Sequence, residues 1–422
     1  MPAINSGLAA QAVHRTLNMD VVRVVSLGDN RTSTSFDVEI AREMNLRDVR
    51  RMNLTERNLI IPLYAKRFTV RFQHARNDIP PARWAEQIVA SNKLTQTILH
   101  TTEFNDIVPD IVAWEGGDGT HGTAFIIELP QEDPNLFPGI FAMSDEDQRT
   151  IVEEIGDLLE RFQSYELPLR LQGYGSLRLD DNREVVLSGS HLAPDSPGPF
   201  ESLEERLRSS ADVSRAASQN HPFYEDADLR RRVDRFFDEK NSELMAGLDC
   251  TQPPCFVHCG IQLQNIHYNL ESRKITGITD FGFARIDHPV VEYVHSFSTF
   301  AAALFLPFDA KLGILHNCVL REFPEEEFSI EELTQSRLGT WGKYVDIPRL
   351  YRLARHFHAY LAVDDDIIRP ADCPEAELLT YLVGIYGAVS GRARLSGGLE
   401  TAAQKEREAR EILVKYLDFF EV

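Results

Sequence analysis

The sequence predicts an α+β protein in two lobes, a small β-rich lobe over residues 1–130 and a large, mainly helical lobe over 131–422. Length is the first observation: 422 residues are more than one ordinary hydrophobic core organises. The second is the texture of the first third, where short β-branched runs and turn residues surround a single helical stretch. The third is the change from Ser144 onward, where apolar residues recur at helical spacing.

Residues 21–27 form a β-branched run ending in the polar turn Gly28-Asp29-Asn30, and 35–40 alternate as a returning strand through Phe36, Val38 and Ile40. Residues 60–64 and 68–72 are two further apolar runs. Pro80-Pro81 then opens a helix, since proline is tolerated in a first turn, and Trp84, Ile88, Ser91, Leu94 and Ile98 carry it to residue 99. Two strands follow, 111–114 and 123–129, joined by the glycine-rich turn 116–122. Ser144 is a helix cap with acids in the turn behind it, and Ile151, Ile155, Leu158, Leu159 and Phe162 keep a 3.6-residue period. Short strands and turns are expected over 168–200, and charged helices over 201–246. Helices over 290–306, 347–363, 376–390 and 400–420 close the second lobe, and the acidic stretch 322–332 reads as a solvated helix start.

A net charge of −21 argues against a nucleic-acid partner, because neutralising a phosphate backbone takes a basic surface. An acidic surface suits a cationic small molecule, or simply a solvated face. No run of eighteen apolar residues exists, so no membrane-spanning helix is expected. The first twenty residues lack the charged start and apolar block of a secretory signal, which makes the cytoplasm the expected location. Five cysteines, an odd number, read as reduced thiols. Cys250, Cys255 and Cys259 cluster beside His258, as a zinc site would, but the spacing follows no common zinc pattern and a structural role is expected.

The chemistry concentrates in residues 256–284, FVHCGIQLQNIHYNLESRKITGITDFGFA. Asn265 follows His258 by seven residues, and Asp280 stands fifteen residues further, where the β-branched run 275–279 enters Asp280-Phe281-Gly282. An amide oxygen and a carboxylate at such a strand end can share one divalent ion through hard oxygen ligands. Gly282 lets the backbone turn sharply behind the acid.

This segment resembles the aminoglycoside phosphotransferase and choline kinase group, proteins of the protein-kinase-like fold whose loop usually reads H-G-D-L-H-P-G-N-I. His258, Ile261, Asn265 and Ile266 match its histidine, leucine, asparagine and isoleucine, and Asp280 matches its metal-binding aspartate. Gly260 stands where the group has its catalytic aspartate, Gln262 replaces a histidine, and Leu263-Gln264 replace Pro-Gly. Residues 287–292, DHPVVE, are similar to the group's G-D-P-x-x-D, with Glu292 at the second acid. The resemblance implies a two-lobed kinase-like fold, ATP and Mg2+ as cofactors, Asn265 and Asp280 as metal ligands, and transfer of phosphate to a small-molecule hydroxyl. It implies for His258 a role in packing and orienting the loop, with direct chemistry the alternative. Gln262 could hydrogen-bond a substrate hydroxyl but cannot take its proton. In the small lobe the resemblance places a phosphate-clamping base at Arg71, with Lys66 as the rival, and a helix glutamate at Glu86 as its partner. It places the phosphate-covering turn at 26–33, with Ser26 and Asn30, unless that turn is an ordinary hairpin. The hinge that meets adenine falls at Glu128-Leu129 by position.

Three functions remain open on the sequence. One is an ATP/Mg-dependent small-molecule phosphotransferase with a degenerate loop. Another is a pseudokinase, a binding or scaffold module. The last is a kinase-fold enzyme repurposed for other chemistry on a small metabolite.

Overall fold

Asn5 starts the first helix by accepting the Leu8 N–H at 3.1 Å, and Asn18 ends it in the left-handed region at φ 54°. The computed structural model describes residues 4–29, 33–45, 48, 63–73, 80–116, 123–137, 139–189, 198–248, 252–297, 312–324, 347–364, 366–390 and 402–422. The elements begin with α1 (Ser6–Leu17), β1 (Val21–Asp29), β2 (Ser33–Ile40), β3 (Arg67–Gln73), α2 (Pro81–Leu99), β4 (Ile111–Glu115) and β5 (Phe125–Glu128). They continue with α3 (Asp145–Ser164), β6 (Gly175–Leu179), β7 (Val185–Ser188), α4 (Leu203–Ser218), α5 (Ala227–Arg235), α6 (Asn241–Ala246) and β8 (Cys255–Val257). Last come β9 (Ile266–Asn269), β10 (Lys274–Ile278), β11 (Arg285–Asp287), α7 (Val290–His295), α8 (Leu312–Arg321), α9 (Ile347–Leu361), α10 (Ala376–Val389) and α11 (Ala402–Phe419). This is the α+β, kinase-like fold the sequence predicts.

The chain forms two compact units that do not part at one chain position. The first holds Met1–Phe137, Ser176–Asp195 and Gln264–Ala284, and the second holds Pro138–Gly175, Ser196–Leu263 and Arg285–Val422. The expected lobes, 1–130 and 131–422, therefore need correcting. Hydrogen bonding is the reason: the β6–β7 hairpin is tied to α2 by Lys93 Nζ on the Arg183 carbonyl at 2.7 Å. The β9–β10 hairpin is tied back by Leu136 N–H on Ile266 O and Ile278 N–H on Ile107 O, each at 2.9 Å.

In the first unit the sheet is antiparallel in the order β1-β2-β3-β5-β4. Strand alternation turns Phe68, Val70 and Phe72 to one face, where they pack with Phe36, Val38 and Ile40 under Leu8, Ala12, Val13 and Leu17 of α1. Helix α1 lies in a stretch for which the sequence reading gave no helix, although its buried residues keep helical spacing. Pro80 precedes α2 with Pro81 in its first turn, as expected.

In the second unit Ser144 caps α3 by accepting the Asp147 N–H at 3.1 Å, and Ile151, Ile155, Leu158, Leu159 and Phe162 are all buried. Helix α9 packs on α3, with His356 Nε2 2.7 Å from Glu153 and the Tyr360 hydroxyl donating to Asp157 at 2.5 Å. Helix α8 is an addition to the helices expected from the sequence. Helix α7 ends at His295, six residues into the expected 290–306, and the remainder of that stretch beyond 297 lies outside the described residues. Residues 322–324 are not helical, and the rest of the expected acidic helix start also lies outside.

Candidate functional site

Because the alternate residues of β3 face α1, Arg71 faces the other side of the sheet, toward a pocket lined in part by Ser33, Ile88, Glu128, Thr279 and Asp280. Glu128, at the end of β5, shares that face. Arg71 Nε donates to Glu128 Oε1 at 2.7 Å, and a terminal guanidinium nitrogen lies 2.6 Å from the same oxygen. The side chains are 13% and 7% exposed, so this is a buried ion pair. Burial pushes the Glu128 carboxyl up, the Arg71 guanidinium draws it down, and the Asp280 carboxylate adds an upward push.

Asp280 enters the same pocket from the end of β10. Its backbone is left-handed, φ 72° and ψ 54°, a region aspartate tolerates better than most residues but which still costs about 1–2 kcal/mol. The conformation is fixed from both sides. Thr279 N–H donates to Asn265 O at 2.9 Å, and the turn of residues 281–283 closes with Ala284 N–H on Phe281 O at 3.2 Å. Gln87 of α2 holds the end of that turn through the Ala284 carbonyl at 3.1 Å. The Thr279–Asn265 bond brings the two sequence-predicted metal ligands onto adjoining segments of one unit. An amide oxygen and a carboxylate fit Mg2+, which takes oxygen ligands and keeps several waters.

The remaining small-lobe expectations change. Glu86 does not pair with Arg71: it accepts the Leu179 N–H at 3.2 Å, because its face of α2 turns to the β6–β7 hairpin. Glu128 takes its place. Lys66 lies in a surface ion pair with Glu39 at 3.0 Å, which leaves Arg71 as the base of the pocket. Ser26 is not in a turn, since β1 runs on through Asp29 with Ser26 opposite Phe36, and the ladder shifts register between Ser26 and Gly28. Gly28, at φ 100°, absorbs that irregularity. Asn30 lies outside the described residues. At the expected hinge the Leu129 N–H donates to Asp110 O at 2.9 Å, extending the β4–β5 ladder, and Glu128 turns into the pocket.

His258, Gly260 and Gln262 belong to the second unit. Here Glu292 organises the loop. Its carboxylate accepts the His258 N–H at 2.5 Å, the Cys259 N–H at 3.0 Å and the Ser296 hydroxyl. Ser296 Oγ in turn accepts the Ile261 N–H at 2.8 Å, and Gln262 Nε2 donates to His295 O at 3.3 Å. Burial pushes the Glu292 carboxyl up, and its donors pull it back. The left-handed residue of the loop is Cys259, at φ 57°, where the resembling loops carry glycine. Beside it Asp287 accepts from Arg206 at 2.5 Å and Arg285 at 2.6 Å, with Asp287 itself wholly buried. Sequence reasoning missed Arg206, which lies 81 residues from Asp287 in the chain and carries no motif.

His258 is wholly buried, and burial holds its imidazole down at about 3. An unfolded histidine takes up its proton near 6.5, so acid favours the unfolded chain. Stability is complete above about pH 6.5 and is lost toward pH 3 at about 1.4 kcal/mol per unit, or about 2 kcal/mol by pH 5. Urea unfolding of wild type and His258→Asn between pH 5 and 7 reads this difference. Parallel pH profiles would refute it.

Cys255, Cys259, Cys318 and Cys373 are buried free thiols, and Cys250 lies outside the described residues. Burial pushes the Cys255 and Cys259 thiols well up. Among the described residues the group with metal-binding spacing is instead His288, Cys373 and Glu375, all buried. His288 Nδ1 accepts the Val290 N–H at 3.2 Å, so Nε2 carries the proton and donates to Glu375 at 3.1 Å. Burial also pushes the Cys373 thiol up to about 12.

The sequence matches the Phosphotransferase enzyme family over residues 66–316, more than half the chain, and the protein belongs to that family. No curated protein matches it. Among solved structures it is similar to a streptomycin-ATP complex of APH(2")-IIa, at 10% identity and TM-score 0.46, covering 100% of this chain and 97% of that one. It is similar to ADP-bound APH(2'')-Ib at 10% identity and TM-score 0.45, covering 99% of each chain. A third similar structure is the spectinomycin phosphotransferase APH(9)-Ia with ADP and spectinomycin, at 10% identity and TM-score 0.43, covering 100% of this chain and 99% of that one. Among the described residues no helix is long and apolar enough to cross a membrane.

Proposed function

We propose that the protein is an ATP- and Mg2+-dependent phosphotransferase acting on the hydroxyl of a small molecule, with no general base in its loop. The observation that carries this reading is the pairing of Asn265 and Asp280 on hydrogen-bonded segments, with Asp280 lining the pocket of Arg71. Family membership supports it. Asn265 and Asp280 would hold the cation, which supplies charge neutralisation at the phosphates. Arg71 would bind a phosphate oxygen through its planar guanidinium. At Gly260 no side chain receives the acceptor's proton, and Glu292, 1% exposed, is committed to the loop's own N–H groups. A loose transition state asks little of a base, so the hydroxyl proton leaves late, to a phosphoryl oxygen or to water.

The test is a thermal melt with millimolar Mg-ATP on wild type and Asp280→Ala, joined to ATP consumption over a panel of small hydroxylated molecules. Wild type should be stabilised and Asp280→Ala should not. Occupancy at a hundred times Kd corresponds to about 2.7 kcal/mol. Neither a shift nor turnover in wild type would sink the proposal. The second reading, a pseudokinase that binds without transfer, is favoured by Gly260 and by the engagement of Arg71 with Glu128. Stabilisation without turnover is its signature.

A further inference from the structure

Of the side chains lining the Asp280 pocket among the described residues, one is basic, Arg71, and two are acidic, Glu128 and Asp280. The single guanidinium is already engaged: two of its nitrogens converge on one oxygen of Glu128, at 2.7 and 2.6 Å. We infer that Glu128 is an internal competitor for the phosphate-binding guanidinium, holding the position on Arg71 that a nucleotide's phosphate oxygens would take and setting nucleotide affinity low. This rests on the phosphotransferase reading above.

Four points carry the inference. Glu128 stands at the end of β5, and its side chain lies on the sheet face opposite α1 together with Arg71, whereas Phe125 and Ile127 face α1. A buried ion pair is weak evidence for a stabilising role, because removing two charges from water offsets their attraction. Glu86, the helix acid that sequence expectation assigned to the base, is occupied by the Leu179 N–H and leaves the base to Glu128. Both close contacts fall on one carboxylate oxygen, so a phosphate group, with several oxygens, can accept from the same guanidinium in the carboxylate's place. Doing so leaves Glu128 and Asp280 facing a polyphosphate, and a divalent ion at Asp280 and Asn265 offsets that repulsion. Phosphate capture is thus coupled to the cation.

The test measures Mg-ATP and Mg-tripolyphosphate binding to the full chain by calorimetry. Glu128→Gln removes the competing charge, and binding should tighten roughly tenfold to a hundredfold, the range of one charge-assisted hydrogen bond. Should the amide fold poorly, Glu128→Leu fills a similar volume without charge and gives the same readout. Arg71→Met combined with Glu128→Leu should lose the gain. Wild-type binding that Glu128→Gln and Glu128→Leu both leave unchanged overturns the competitor role and leaves the phosphotransferase reading standing. Tighter binding that survives in the double variant also overturns it, because the gain is then not Arg71's. No binding by wild type or any variant overturns both readings.

Discussion

Gly260→Asp should speed ATP consumption by about 10²–10⁴-fold in the presence of an accepted hydroxyl substrate, the usual contribution of a positioned general base. The backbone supports the substitution. Among the described residues the left-handed glycines are Gly28, Gly173 and Gly198, so the φ of position 260 lies outside the region that favours glycine; the left-handed residue is its neighbour Cys259. The loop is also pinned on both sides of the change. Glu292 holds the His258 and Cys259 N–H groups, and Ser296 holds that of Ile261. None of these bonds involves a side chain at 260, so an added carboxylate enters a loop already set. Gly260 is buried, and some loss of melting temperature accompanies the gain. The measurement is Mg2+-dependent ADP formation over a panel of hydroxylated small molecules, with a melt to verify folding. A folded variant no faster than wild type would show that the missing acid is not what limits the reaction. It would favour a kinase-fold protein converted to other chemistry.

Much of this fold was legible because the deciding residues are local. The cap at Ser144 with its buried 3.6-residue series, the proline start of α2 and the strand alternation of Phe68, Val70 and Phe72 each depend on neighbours a few positions away. The placement of Asn265 and Asp280 was legible for a related reason: they flank one short hairpin, which fixes their separation in sequence. What failed was long-range. Arg71 and Glu128 are 57 residues apart and meet through the β3–β5 pairing, where a diagonal contact decides the partner. Glu86 lost that role through the rotation of α2 toward the β6–β7 hairpin, and spacing along a helix does not encode which neighbour its outer face meets. Helix α1 is a different failure. Its series Leu8, Ala9, Ala12, Val13 and Leu17 is helical and Asn5 is a cap, but two alanines make a weak apolar signal.

Glu292→Ala should cost about 3–5 kcal/mol, the usual penalty for removing one partner of a buried charged network. The carboxylate is 1% exposed and accepts from two backbone N–H groups and one hydroxyl. The hydroxyl of Ser296 can turn to another acceptor, but the N–H groups of His258 and Cys259 cannot. Left buried without a partner, each costs about 1–3 kcal/mol, so the pair alone accounts for most of the expected loss. Glu292→Gln keeps one acceptor oxygen and should fall between the variant and wild type. Urea unfolding gives the free energy, and amide exchange at His258 and Cys259 shows where it acts. A loss below 1 kcal/mol, with those amides still protected, would refute the assignment. The magnitude matters beyond stability because Cys259 holds a left-handed backbone that a non-glycine residue adopts at a cost of about 1–2 kcal/mol. Glu292 supplies the bonds that keep it there. In the resembling loops a glycine at this position meets no such penalty, so this chain depends on its acid more than a glycine-bearing loop would. Cys259→Gly should therefore soften the effect of Glu292→Ala, and a double-mutant cycle between the two positions reads that coupling directly.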